Sequence, residues 1–193
     1  MMMMRSTAAL FTVLSLALCL FLLDQTDAQA QAPSSAVGTA LVAEVCGQCK
    51  DKDLCLSSLN ADPNTQTADL SGLTLISIRV ATANATDTSA YISQMLKDTS
   101  LEPGVQDALN NCADYYDDVV QQLDDSLAAL TVRNYGDLRK WVETAATEGD
   151  SCGAAFTALG EADKLGVVGR TRTLKQLCNN ALAVISLLEK NKQ

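Results

Sequence analysis

The chain contains no histidine. It therefore lacks the one side chain whose ordinary pKa moves its charge between pH 5 and 8, and the commonest metal ligand. No phosphate-cradling loop and no metal-ligand cluster can be read in it. Aromatic residues are scarce at 4%, so Leu, Val and Ala must fill most of any core. Strand patterns are almost absent. Basic residues are outnumbered, 14 against 23 acidic, for a formal charge of −9. That balance argues against nucleic acid and anionic membrane surfaces, and favours a basic partner. An enzyme built on Asp/Glu acid–base chemistry is disfavoured as well, because the acids fall on solvent-facing helix positions with no cleft to raise a pKa. Such a chain is suited to presenting a rigid surface, and no catalytic residue and no cofactor is expected.

Only one long apolar run occurs. Ala8 to Leu23 is 16 residues without charge, preceded by Arg5 and followed by Ala28-Gln29-Ala30. It is short of the roughly 20 residues that span a bilayer, and it has the order of a secretory leader: positive end, apolar stretch, A-x-A site. Residues 1–30 are read as a signal peptide and 31–193 as one domain, with the mature chain starting at Gln31. Cys19 leaves with the leader. Without Arg5, Asp24 and Asp27 the remainder holds 13 basic and 21 acidic residues, a charge of −8. The expected product is secreted to the cell exterior, free of the membrane once the leader is gone, and monomeric when free.

Six cysteines remain: Cys46, Cys49, Cys55, Cys112, Cys152 and Cys178. On a secretory route they imply disulfides, and six admit fifteen pairings that sequence alone does not choose among. Two separations are suggestive. Cys46 and Cys55 can clip a short helical hairpin, and Cys112 and Cys152 can tie two long helices. Zinc at Cys46-x2-Cys49 is disfavoured, since a tetrahedral site needs further ligands. A lipid carrier is disfavoured too, because such proteins carry denser cysteines with an adjacent Cys-Cys pair. Asn84-Ala85-Thr86 is a sequon, which makes Asn84 a candidate glycosylation site.

Helical periodicity dominates the rest. Two short helical patterns flank the charged turn Lys50-Asp51-Lys52-Asp53, and Asp62-Pro63-Asn64 marks a turn and a helix start. Gln66 to Asp98 reads as one long helix, without an interrupting proline. Beyond Pro103, Val105, Leu109, Cys112, Tyr116, Val119, Leu123, Leu127 and Leu130 recur every three or four residues and form one stripe. The opposite face carries Asp107, Asp114, Asp117, Asp118, Asp124 and Asp125. Asn134 is placed to cap the next helix, whose stripe is Leu138, Trp141 with Val142, Ala145, Gly149, Cys152, Phe156 and Leu159. A last stripe, Leu174, Cys178, Ala181, Ile185 and Leu188, would be capped by Thr171 or Thr173. The fold class is all-α: an up-down-up-down four-helix bundle after a small N-terminal helical hairpin.

These residues in this order resemble the plant pectin methylesterase inhibitor and invertase inhibitor superfamily. The resemblance runs over nearly the whole mature chain. It rests on Cys46-x8-Cys55-Leu56, Leu59-x2-Asp62-Pro63, Ala68-Asp69-Leu70-x2-Leu73, Cys112-x3-Tyr116, Asp125-Ser126-Leu127, Tyr135, Cys152 with Phe156, and the run from Leu177 to Leu188. The chain is also similar to pollen allergens of this superfamily labelled as invertase inhibitors. The resemblance implies a four-helix bundle with an N-terminal hairpin, and disulfides Cys46–Cys55 and Cys112–Cys152. It implies a protein of a family that works in the cell wall or vacuole, for this chain the cell wall or apoplast, by binding a carbohydrate-active enzyme one-to-one and blocking its active-site cleft. Invertase inhibitors of the better-known kind carry a Pro-Lys-Phe motif near the third long helix. Here that region is Arg133-Asn134-Tyr135-Gly136, closer to the Gly-Asp-Tyr turn of pectin methylesterase inhibitors, and Cys178 also matches that side. Pectin methylesterase is thus the expected partner and acid invertase the alternative. Two features depart from the pattern: Gly153-Ala154 stands where an acidic pair often follows the cysteine, and Cys49 is extra. Cys49 would be free, paired with Cys178, or a link between two molecules, in that order.

A methylesterase must hold a polyanionic chain in a long cleft, so an acidic, hydroxyl-rich helix surface can mimic its substrate. Asp114, Asp117, Asp118 and Gln121 are the expected contact residues, with Thr74 and Thr82 on the preceding helix.

Overall fold

The computed structural model describes residues 34–160 and 165–191, with only the backbone described for residues 34–37. The leader segment, its cleavage site and Cys19 lie outside these residues. Helices α1 (Ser34–Cys46) and α2 (Lys52–Asn60) form the hairpin. A short 3₁₀ turn, Pro63–Thr67, leads into α3 (Leu70–Met95), α4 (Pro103–Thr131), α5 (Tyr135–Ala158) and α6 (Val167–Lys190). Among the described residues there is no strand.

Local chemistry sets the boundaries. Asp51, Asp62 and Asp69 each accept a backbone N–H at the start of the element that follows, at 2.9, 2.8 and 2.8 Å. Caps of this kind contribute about 1 kcal/mol each. Asp69 bonds to Gly72, which sits in the first turn of α3 and does not interrupt it. Pro103 occupies the first turn of α4, where its missing N–H costs nothing. Arg133 adopts a left-handed conformation (φ 58°), and the Asn134 N–H returns to the Ala129 carbonyl at 2.9 Å, closing α4 in the manner of a Schellman turn. Asn134 then caps α5 by accepting from the Asp137 N–H at 3.2 Å.

The start of α6 corrects the sequence reading. Thr171 and Thr173 lie inside the helix and donate to the carbonyls of Val168 and Gly169, at 3.0 and 3.1 Å. The cap position is Gly166, left-handed at φ 65°, with no capping side chain. The chain enters α6 through a left-handed conformation open to glycine, so no capping hydroxyl is placed there.

Each long helix packs on two neighbours, and α3 closes the ring against α6. The three connections between the four long helices give the up-down-up-down bundle. Its core includes Ile78, Ile92, Leu109, Tyr116, Leu123, Leu138, Val142, Phe156, Leu174 and Ile185, all at or near zero exposure. Four stripe positions behave differently, the first being Val105 in the opening turn of α4, which is only partly buried. Leu127 is only partly buried, while its neighbour Ser126 is fully buried, its hydroxyl donating to Leu123 O at 2.6 Å. Leu159, at the end of α5, is 41% exposed. Trp141 is half-buried under the Lys140 ammonium, 5.0 Å from the ring centre.

A second core joins the hairpin to the bundle: Val42, Val45, Cys46, Cys55 and Leu59 pack on Leu73, Ile76 and Val184. Helix α1 also approaches the 3₁₀ turn backbone to backbone. A β-carbon on Gly38 would stand 2.2 Å from the Gln66 carbonyl oxygen. Gln176 of α6 donates to Asp51 at 3.2 Å and ties the hairpin turn to the last helix.

Two disulfides are formed, Cys46–Cys55 with Cα atoms 5.5 Å apart and Cys112–Cys152 at 4.8 Å. In the chain-entropy account these contribute about 2.7 and about 4 kcal/mol. Cys49 and Cys178 are free. Cys178 is buried in the main bundle core and Cys49 packs against the hairpin core.

Candidate enzyme-binding surface

Helix α4 turns its apolar stripe inward and leaves the other side to water. Asp114, Asp117, Asp118, Gln121 and Asp124 are exposed on that side, and Asp125 is half-buried. Their spacing of three or four residues puts them on one line down the helix. Among the described residues none of these five carboxylates takes part in an ion pair. The three ion pairs found lie elsewhere, Arg139 with Glu189 and Glu143, and Lys175 with Asp150. The negative field along α4 is therefore not cancelled locally, and repulsion along the line favours a cationic partner.

Helix α3 lies beside this line. Thr86 and Ser89 of α3 and Asp117, Gln121, Asp124 and Asp125 of α4 border an open groove of about 580 Å³ floored by Val120. The groove brings hydroxyls and carboxylates together, the two groups that dominate a polyuronide. Asp117 and Gln121 were expected from sequence and face it. Asp114 and Asp118 continue the acidic line outside it.

Two expected contacts are corrected or weakened. Thr74 is fully buried, and its hydroxyl donates to the Leu70 carbonyl at 2.7 Å, so it presents nothing to a partner. Its position in the sequence places it on the inward side of α3, which hydroxyl content alone does not reveal. Thr82 is half-buried, with its hydroxyl committed to Ile78 O at 3.0 Å. The groove is bordered instead by Ser89 and by Thr86, which is exposed although its hydroxyl likewise donates to the Thr82 carbonyl at 2.9 Å. The signal was present, since Thr82, Thr86 and Ser89 step by four and three along α3.

Asn84 lies in the middle of α3, half-buried, with its Oδ1 buried and without a hydrogen-bond partner. Its backbone carbonyl accepts from the Thr88 hydroxyl at 2.8 Å. The Thr88 hydroxyl also lies beside the buried Tyr116 hydroxyl; burial pushes that phenol well above its usual range, and Thr88 opposes the shift in part. Neither feature faces the groove.

Two other hollows occur. One of about 440 Å³ at the bundle end is apolar, between Leu101, Val105, Leu159 and Leu165. The other, about 520 Å³, lies between the hairpin and the bundle near Asp69, Arg133 and Tyr135. No described grouping of three or more Cys, Asp or Glu residues could hold a metal ion, and no described helix is long and apolar enough to cross a membrane.

A helical hairpin clipped at Cys46–Cys55, followed by a bundle clipped at Cys112–Cys152, has counterparts among known proteins. The profile of the plant invertase/pectin methylesterase inhibitor family matches residues 40–184. The chain belongs to this family. Among its relatives is a pectinesterase inhibitor of Actinidia deliciosa, 28% identical over 169 residues that cover 84% of this chain and 86% of the relative. Another, from Platanus acerifolia, bears the name "Putative invertase inhibitor"; it is 28% identical over 140 residues, 70% of this chain and 75% of that one. The crystal structure of a mutant form of a pectin methylesterase inhibitor from Arabidopsis superposes with a TM-score of 0.65 at 24% identity, covering 76% of this chain and 95% of that one. The last comparison carries the fold. This member of the family is an inhibitor-type protein and not an enzyme, and its relatives divide between the two target classes in the family's name.

Proposed function

We propose that this family member inhibits a pectin methylesterase by laying the α3–α4 face into the enzyme's active-site cleft, one molecule to one. The observation that carries this reading is the groove where the unpaired carboxylates of α4 meet the hydroxyls of α3. A cleft that binds a polyanionic, hydroxylated chain offers cations and donors at a spacing that such a surface can satisfy. Charge complementarity of this kind sets association rate and partner choice more than final affinity. Helices clipped by disulfides present that surface already ordered, which lowers the entropic cost of binding. The turn Arg133-Asn134-Tyr135-Gly136, without Pro-Lys-Phe, favours the same target.

Residues 1–30 act in this reading as a secretory leader, and the mature inhibitor works in the cell wall as a free monomer. Asn84 carries a glycan only if Nδ2 of this half-buried residue is reached before α3 packs. A mass unchanged by glycosidase would exclude one.

The deciding experiment titrates the purified protein against a plant pectin methylesterase at mildly acidic pH, with an acid invertase in parallel. Stoichiometric loss of methylester hydrolysis alone is expected. Loss of sucrose hydrolysis alone would instead assign the invertase alternative.

A further inference from the structure

Three cysteines meet at the hairpin. Cys46 is the last residue of α1 and is bonded to Cys55 in the first turn of α2. Cys49 stands in the connecting turn as a free, half-buried thiol. Its Sγ lies 3.3 Å from the Cys55 Sγ and 3.6 Å from the Val45 carbonyl oxygen. That sulfur–sulfur separation is within the roughly 3–3.5 Å of reacting atoms held ready for attack. The contact is with Cys55, so that sulfur is addressed and Cys46 becomes the leaving group.

We propose that Cys49 is the nucleophile of an intramolecular thiol–disulfide exchange that moves the hairpin bridge from Cys46–Cys55 to Cys49–Cys55. The Cys49 thiolate forms a bond to Cys55 Sγ. The Cys46–Cys55 bond breaks, its electron pair goes to Cys46 Sγ, and the proton given up by Cys49 ends on Cys46. One disulfide and one thiol enter and leave the step, so no oxidant or reductant is consumed.

The two isomers differ in what they hold. In the first the bridge fastens the end of α1 to α2. In the second it fastens only the turn, and α1 is kept in place by Val42, Val45 and the close approach at Gly38. The position vacated by the bridge is fully buried, and a neutral thiol sits there as a small apolar group. The same burial makes Cys46 a poor leaving group, so exchange is slow, and Cys46–Cys55 is the isomer the structure holds. Cys178 packs in the other core and takes no part. The exchange is thus a latch on α1, built into the turn that joins it to α2.

The test maps disulfides in the full chain without reduction, after N-ethylmaleimide has capped free thiols under acidic denaturing conditions. Freshly folded protein is expected to be labelled at Cys49 and Cys178. Incubation at mildly alkaline pH before capping is expected to raise severalfold a minor species labelled at Cys46 and Cys178, with Cys49 joined to Cys55. Cys49→Ser is expected to lack that species. Cys46→Ser is expected to carry the Cys49–Cys55 bridge in nine molecules of ten or more, and its amides in 34–46 are expected to exchange faster than those of Cys49→Ser. Should Cys46→Ser fail to fold, the incubated natural chain decides alone. Absence of the minor species from the incubated chain, or Cys49 and Cys55 both labelled in folded Cys46→Ser, overturns the proposal.

Discussion

Gly153 of α5 and Thr171 of α6 stand so close that a β-carbon on the glycine would lie 2.6 Å from the Thr171 Oγ1. Thr171 is buried and its hydroxyl is engaged with Val168 O, so it has little room to yield. Gly153→Ala is expected to lower stability by about 1 kcal/mol net, an overpacking cost of about 1–3 kcal/mol against about 1 kcal/mol of gained helix propensity. Thr171→Ala removes the obstructing oxygen. The double variant should be no less stable than Thr171→Ala alone, giving a coupling of about 1–2 kcal/mol in denaturant titrations. A Gly153→Ala protein more stable than the natural chain would refute the close approach.

The acidic line on α4 is testable through rates. Asp117→Lys with Asp124→Lys reverses two unpaired exposed charges bordering the groove. Association with a pectin methylesterase should slow about tenfold or more at low salt and much less at high salt, with dissociation changed less. Stopped-flow binding over a salt series measures both. Equal effects at all salt concentrations would place the contact elsewhere.

Thiol reactivity should separate the two free cysteines. Burial pushes the Cys178 thiol from 9.0 up to about 12, and raises that of half-buried Cys49 above its ordinary value. Iodoacetamide at mildly alkaline pH should modify Cys49 first and Cys178 only on unfolding, read by peptide mass. The raised Cys178 value has a consequence for stability. Its contribution is fully present below the unfolded pKa and is lost as pH rises from there toward about 12, at up to about 1.4 kcal/mol per pH unit. Cys178→Ala should flatten the first part of that alkaline decline.

At the α3–α4 connection, the Ser100 hydroxyl and N–H donate to Asp98 Oδ1 at 2.6 and 2.9 Å. These bonds, the hydroxyl foremost, hold the Asp98 carboxyl below its ordinary 3.8. The sign follows: the stabilisation is present above the unfolded aspartate pKa and is lost as pH falls through the lower folded value. Ser100→Ala should move the Asp98 midpoint up toward 3.8 in a carbon-detected NMR titration. An unmoved midpoint would show that the hydroxyl is not bonded in solution.

Gly38→Ala should act on the hairpin alone. The added carbon would meet the Gln66 backbone at 2.2 Å, and backbone cannot rotate aside. A loss on the order of 3 kcal/mol is expected, with hydrogen exchange rising in 34–46 and little change in α4 and α5.

Much of the fold was legible because the apolar stripes of α4, α5 and α6 keep helical spacing over many turns. Leu109, Cys112, Tyr116, Val119 and Leu123 are all fully buried, as their register requires. The reading failed where one residue type serves two purposes. Thr171 and Thr173 have the chemistry of caps but back-bond inside α6, because a left-handed glycine does the work of the boundary. Thr74 has the chemistry of a contact residue but satisfies its hydroxyl within α3 and turns into the core. The acidic half of the groove was visible in periodicity; its hydroxyl half depended on how α3 is rotated against α4, which follows from packing. The contact between Cys49 and Cys55 had no signal beyond a cysteine close to others in the chain.

Arg133 stands exposed in the turn between α4 and α5, while Cys112 and Cys152 join those two helices covalently. A protease cutting after Arg133 would produce two polypeptides but still one particle. On a gel without reductant its mass would be unchanged apart from one added water. Refolding of the nicked form would stay independent of concentration, since neither piece can diffuse away. Separating the halves takes a reductant as well as a protease, so in an oxidising, protease-rich setting damage at this exposed turn need not release a fragment.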